Sequence, residues 1–67
     1  MKTAVLKGRM VENNLRDQDM ANILGIDVST FYRKKTGVSD FTREEIKRIK
    51  EVLHLSAEEV DAIFFGD

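Results

Sequence analysis

The sequence predicts an all-α fold, a bundle of five short helices, and three observations carry that prediction. Apolar residues recur at spacings of three and four, and no segment alternates at the strand period. Two complete helix-start signals, Thr42-Arg43-Glu44-Glu45 and Ser56-Ala57-Glu58-Glu59, stand close together in the second half of the chain. Glycines fall at 25 and 37, between helical segments. With 67 residues the chain makes one small domain, residues 1–67, able to fold alone if its core is all helix–helix packing.

The first helix is predicted over residues 3–14, with Thr3 as its cap and Leu6 and Met10 four apart on its inner face. Gly8 inside it costs ~1 kcal/mol relative to alanine; close packing of a neighbouring helix would explain its presence. Asn13-Asn14 is the expected stop, with Leu15 returning to the core. Lys2, Lys7 and Arg9 are expected as solvated helix charges.

The next twenty residues, Asp17 to Thr36, organise the rest. Met20, Ala21, Ile23 and Leu24 give one apolar face. Gly25 then stands where a helix ends in a left-handed residue, a conformation that lacks penalty without a Cβ. Ile26 folds back toward Met20 and Ala21. Asp27 caps a new helix by accepting from the N–H of Ser29 or Thr30. Small Ala21 four residues before the glycine allows two helices to cross closely, and Phe31 six residues after it plugs the angle between them. Helix, glycine turn, capped helix is the plan of a helix-turn-helix unit.

After a loop at residues 36–40, Thr42–Glu45 opens a fourth helix, with Phe41 and Ile46 as its hydrophobic staple and Ile46, Ile49 and Val52 or Leu53 as its buried stripe. Ser56–Glu59 opens a fifth, stapled by Leu55 and Val60. Its stripe is Val60, Ile63 and Phe64. The predicted core is Leu6, Met10, Leu15, Met20, Ala21, Leu24, Ile26, Phe31, Ile46, Ile49, Leu53, Leu55, Val60, Ile63 and Phe64. Ala62 and Phe65 are left on another face. An exposed phenylalanine there predicts a two-fold homodimer through the last helix, the alternatives being a ring folded over the bundle edge or a frayed tail.

On a helical wheel from Val28, Phe31 lies on one side and Val28, Ser29, Tyr32, Arg33 and Thr36 on the other. That outer face holds hydroxyls, a tyrosine, a β-branched residue and an arginine, and no acid. Arginine can read guanine through a bidentate contact to O6 and N7, serine can bond several base edges, and valine can meet a thymine methyl. Val28, Ser29, Tyr32 and Arg33 are therefore the candidate base-reading residues, Arg33 first. Arg16, Gln18, Lys34, Lys35, Thr36 and Arg43 are the candidates for phosphate contacts, which position a protein without reading sequence. Helix N-termini would add backbone N–H donors.

Residues Asp17–Gly37 resemble the helix-turn-helix domain of the phage repressor and Cro type, often called the Xre family. The run Ser29-Thr30-Phe31-Tyr32-Arg33-Lys34 resembles the recognition helix of small phage and prophage regulators. The resemblance extends over about residues 3 to 65. It implies five helices, the third in the DNA major groove, and base contacts from the first two positions of that helix and its middle, here Val28, Ser29 and Arg33. It also implies a phosphate grip from a glutamine at the start of the second helix, for which Gln18 stands one place later than usual. Lys34 occupies a position usually apolar in the family, so its stem is expected to pack while its ammonium reaches solvent or phosphate. Thr36 stands where asparagine is common.

The formal net charge of −1 argues against DNA binding taken alone, but the charge is unevenly spread. Residues 1–50 carry a net +4 and residues 51–67 a net −5. Phosphate attraction depends on the local face rather than the sum. There is no cysteine for a disulfide or thiolate metal site, and the single histidine, His54, builds no metal site. His54 is instead expected to interact with carbonyls at a helix end. Neither a cofactor nor a small-molecule ligand is implied, and a chain this short is expected to offer little room for a pocket of ~300 Å³. No nucleophile–base pair or glycine-rich phosphate loop stands out, so no enzymatic activity is expected. No apolar run approaches the ~18 residues of a membrane span, and the N-terminal residues carry no export signal, which predicts a cytoplasmic location. The expected function is sequence-specific binding of a double-stranded DNA operator by a transcriptional regulator of phage or prophage type. The rival is a protein-interaction module on the same fold, antirepressor or antitoxin-like, which the acidic last third favours.

Overall fold

The computed structural model describes residues 3–66, which form helices α1 (Thr3–Glu12), α2 (Asp17–Leu24), α3 (Val28–Lys35), α4 (Arg43–Leu53) and α5 (Ala57–Val60). The last runs on into a π-helical turn at Asp61–Phe65, which the capping signals at its start could not announce. No strand occurs among the described residues, and none of their helices is long and apolar enough to cross a membrane. Lys2 lies outside the described residues.

The turns follow the local chemistry closely. Asn14 takes a positive φ of 57° and ends α1, with the Leu15 N–H returning to the Met10 carbonyl at 2.9 Å. The helix therefore stops at Glu12, two residues short of the predicted end, and Thr3 is its first helical residue rather than its cap. Gly25 at φ 69° closes α2, with the Ile26 N–H on the Ala21 carbonyl at 3.0 Å. His54 does the same for α4 at φ 54°, so it meets the helix carbonyls through its backbone N–H. Both predicted capping boxes are formed: the Thr42 and Ser56 hydroxyls accept from the N–H groups of Glu45 and Glu59, whose carboxylates accept from the N–H groups of Thr42 and Ser56.

Leu6, Met10, Met20, Ala21, Leu24, Phe31, Ile49, Leu53, Leu55 and Ile63 form one buried core. Leu15, Ile26, Val60 and Phe64 pack against it half-buried, whereas Ile46 is half-buried and lines a surface groove with Phe41. Three rings connect α3 to the end of the chain. Phe31 meets Phe41 at 5.9 Å between centroids, and Phe41 meets Phe64 edge-on at 5.5 Å, both within the range of favourable aromatic pairs.

Polar contacts at the surface reinforce the same packing. Arg9 on α1 pairs with Glu59 on α5 and, at 2.8 Å, with Glu12. Arg48 on α4 donates to the Ile23 carbonyl at 3.2 Å near the end of α2. Gly8 is exposed, and a Cβ built there meets nothing within 4 Å, so close helix packing does not explain it. Replacing Gly8 with Ala is accordingly expected to raise stability by about 0.5–1 kcal/mol, through helix propensity alone. Urea unfolding followed by circular dichroism checks this; a loss of stability would mean that the open side of α1 is covered.

Candidate nucleic-acid interface

Two kinds of contact fix α3. Asp27 caps it, accepting from the Ser29 N–H at 3.0 Å and from the Ser29 hydroxyl. The Ser29 hydroxyl, then its N–H, hold the Asp27 carboxyl below the usual carboxylate range, with nearby Arg33 adding to the effect. On the inner side Phe31 is fully buried, the one residue of α3 that is. The opposite side remains open. Ser29, Arg33 and Thr36 are exposed and Tyr32 is 56% exposed.

The outer face is narrower than predicted. Val28 is half-buried and packs against the core, because the first turn of α3 leans on the α2–α3 junction; its side chain is only partly offered to a groove. The Ser29 hydroxyl spends its proton on Asp27, leaving lone pairs to accept from a base amino group. The Thr36 hydroxyl folds back onto the Tyr32 carbonyl at 3.0 Å. Arg33 keeps a loose contact of 3.4 Å to the Thr30 hydroxyl, and no ion pair holds it among the described residues.

The two lysines that follow are spoken for. Lys34 does not send its ammonium to solvent: its side chain is only 14% exposed and Nζ lies 2.6 Å from Glu45 Oε1. The cause is Glu45, a buried carboxylate which caps α4 and needs a counter-charge where α3 passes. Burial pushes the Glu45 carboxyl up, but the Lys34 ammonium and the Thr42 N–H together outweigh it and hold the group below its ordinary value. Lys35, 16% exposed, is gripped by both oxygens of Asp17 at 2.8 and 2.9 Å, with its ammonium 5.3 Å from the Tyr32 ring centroid. Both pairs brace α3 against its neighbours.

Arg16 and Arg43 are exposed and unpaired among the described residues, and Gln18 is exposed with its amide donating to Asn22 at 3.0 Å. Lys7, expected only as a solvated charge, lines one cleft with Tyr32, Lys35 and Thr36 and another with Arg16 and Asp17. The fold thus carries a basic residue of α1 to the flank of α3, a juxtaposition that local sequence cannot show. One N–H at each of these helix starts already has a side-chain acceptor: Asp19 takes the Arg16 N–H at 2.9 Å, Asp27 that of Ser29, and Thr42 that of Glu45. Of the two predicted dimer residues, Ala62 is half-buried and Phe65 is 66% exposed. Open surface grooves of about 470 and 400 Å³ flank Phe65.

A family model described as BetR domain matches residues 5–62 of this chain. The chain belongs to the BetR domain family. No curated protein and no solved structure matches it. The matched span begins in α1 and ends inside the π-helical turn, so this BetR domain comprises nearly the whole bundle, including α2, the glycine turn and α3. That two-helix arrangement is consistent with the helix-turn-helix plan. The likeness to the phage repressor and Cro type remains a resemblance of sequence, centred on Asp17–Gly37 and extending over about residues 3 to 65.

In this BetR domain the Lys34–Glu45 pair has a pH signature. A carboxyl held below its unfolded value stabilises the fold above that value, and the contribution is lost as pH falls through the lower, folded one. Glu45→Gln is expected to cost about 1–3 kcal/mol at neutral pH. The difference from wild type should narrow in acid, once the wild-type carboxyl is itself protonated. Urea midpoints of both proteins at neutral and acidic pH measure this, and a difference that does not change with pH would contradict it.

Proposed function

We propose that the chain is a sequence-specific double-stranded DNA-binding transcriptional regulator, of the phage or prophage repressor and Cro type, that reads the major groove with α3. The observation that carries this reading is the open outer side of α3, where Ser29, Tyr32 and Arg33 stand exposed on a helix anchored from behind by Phe31. An arginine fork, a serine acceptor and an amphipathic ring in one stripe, with Asp27 at its N-terminal edge already engaged by Ser29, suit base edges and the sugar wall of a groove. Arg33 would read guanine, Ser29 would accept from an exocyclic amino group, and Tyr32 would lie against sugar and phosphate. Val28 would offer only the exposed part of its side chain to a thymine methyl.

Phosphate contacts in this scheme come from Lys7, Arg16 and Arg43, with Gln18 and the Thr36 edge as neutral partners. Lys34 and Lys35 are left out because their charges are matched inside the fold. The same matching favours the second reading, a protein-interaction module on this fold with weak DNA binding, since it leaves two of the cations of α3 without free charge for phosphate. No catalytic role is proposed for either reading.

Salt separates the two. Three phosphate contacts per domain predict that the logarithm of the DNA association constant falls with the logarithm of salt concentration at a slope near −3 per domain. Arg33→Ala is expected to cost ~1–3 kcal/mol on a preferred site and much less on random duplex. Fluorescence anisotropy with labelled duplexes measures both. No measurable binding even at low salt would support the interaction module, and Arg33→Ala without effect on either duplex would remove α3 as the reading element.

A further inference from the structure

The π-helical turn leaves a feature that DNA reading does not use. Phe65, 66% exposed, forms one edge of a groove of about 400 Å³ whose other apolar wall is Phe41 and Ile46. The same groove is bordered by Arg43, Lys47 and Lys50, spaced four and three along α4 and so on one side of that helix. None of the three has an ion-pair partner among the described residues. Along the last element, Glu58, Asp61 and Phe65 follow one another at three and four; all are exposed, and neither acid is paired among the described residues. A basic stripe beside an empty apolar groove and an acidic stripe ending in an unburied ring are thus complementary, but each chain holds both.

We infer that this face pairs with a second copy of the chain about a two-fold axis, each Phe65 entering the other copy's Phe41–Ile46 groove and each acidic stripe lying against the other's α4. An isologous interface of this kind satisfies both stripes at once, since every contact is made twice. It places α4 against the partner's last element, not one last helix against another as the bare exposure of Ala62 and Phe65 suggested. A standard interface covers about 800 Å² per partner, close to a fifth of the 4449 Å² that this chain exposes, so the α4 side and the π turn must be covered together. The groove-and-stripe face shares no residue with the clefts that hold Lys7 and Tyr32; Arg43 alone belongs both to this basic border and to the proposed phosphate contacts, so the pairing is carried by Lys47 and Lys50 and stands whether or not α3 binds DNA.

Sedimentation equilibrium of the full chain over a wide concentration range tests it. The expected result is a monomer–dimer equilibrium that weakens with added salt. Phe65→Ser should weaken association about tenfold or more, tenfold corresponding to only ~1.4 kcal/mol. Lys47→Glu with Lys50→Glu should yield monomers, and so should Glu58→Lys with Asp61→Lys, because each then carries like charges on both stripes. Mixing these two variants should restore a one-to-one heterodimer. All four positions and Phe65 are exposed, and circular dichroism confirms that the variants fold. A strict monomer at every concentration, a dimer indifferent to the charge reversals, or a mixture that stays monomeric would each overturn the inference. If instead the Lys47 and Lys50 reversals weaken DNA binding of a monomer, the basic stripe is a phosphate contact and the pairing is wrong.

Discussion

Everything α3 can do depends on Phe31. It is the only fully buried side chain of a helix two turns long, so it does most to set which side of α3 faces water, with half-buried Val28 and the two lysine pairs in support. The ring belongs to the same buried cluster as Ala21 and Leu24, and it continues through Phe41 to Phe64. An eight-residue helix is too short to be stable in water by itself. Its shape and orientation come from the core, and its exposed stripe is what remains.

The charges around α3 serve position before they serve recognition. Asp17 holds Lys35, Glu45 holds Lys34, and Asp27 holds the helix N-terminus. These pairs straddle the helix and connect it to α2 and to α4, which limits how far it can roll. The cost is attraction for phosphate, because each matched lysine contributes little long-range field. Among the cations considered for α3, Arg33 and, on its flank, Lys7 and Arg16 stay unmatched. In the proposed reading, few free cations mean few phosphate contacts and a larger share of affinity from base contacts.

Much of the fold was legible in the sequence because it is written in local rules. The capping boxes at Thr42 and Ser56, the glycine at 25 and the Asp27 cap each act within four or five residues, and the apolar spacing then fixed the core. The misreadings are of another kind. That Lys34 turns inward to Glu45, that Lys35 reaches Asp17 and that Lys7 arrives beside Tyr32 are facts about helices meeting, invisible to a wheel drawn on one of them. Val28 looked outward on that wheel because a wheel does not know where the α2–α3 junction lies. The π turn after Val60 was hidden for a similar reason: residues 57–65 keep a helical apolar pattern, and a turn widened by one residue changes only where Phe65 ends up. His54 in a left-handed conformation shows the limit of composition rules, since asparagine or glycine is the usual choice there.

Selection of bound sequences from a random duplex pool tests the central claim most directly. With α3 exposed as described, the wild-type chain should enrich a short motif containing guanine, and the Arg33→Ala chain, folded to the same extent, should lose that guanine while retaining residual binding. A wild-type chain that enriches nothing, or an Arg33→Ala chain that enriches the identical motif, would show that the open side of α3 is not a reading surface.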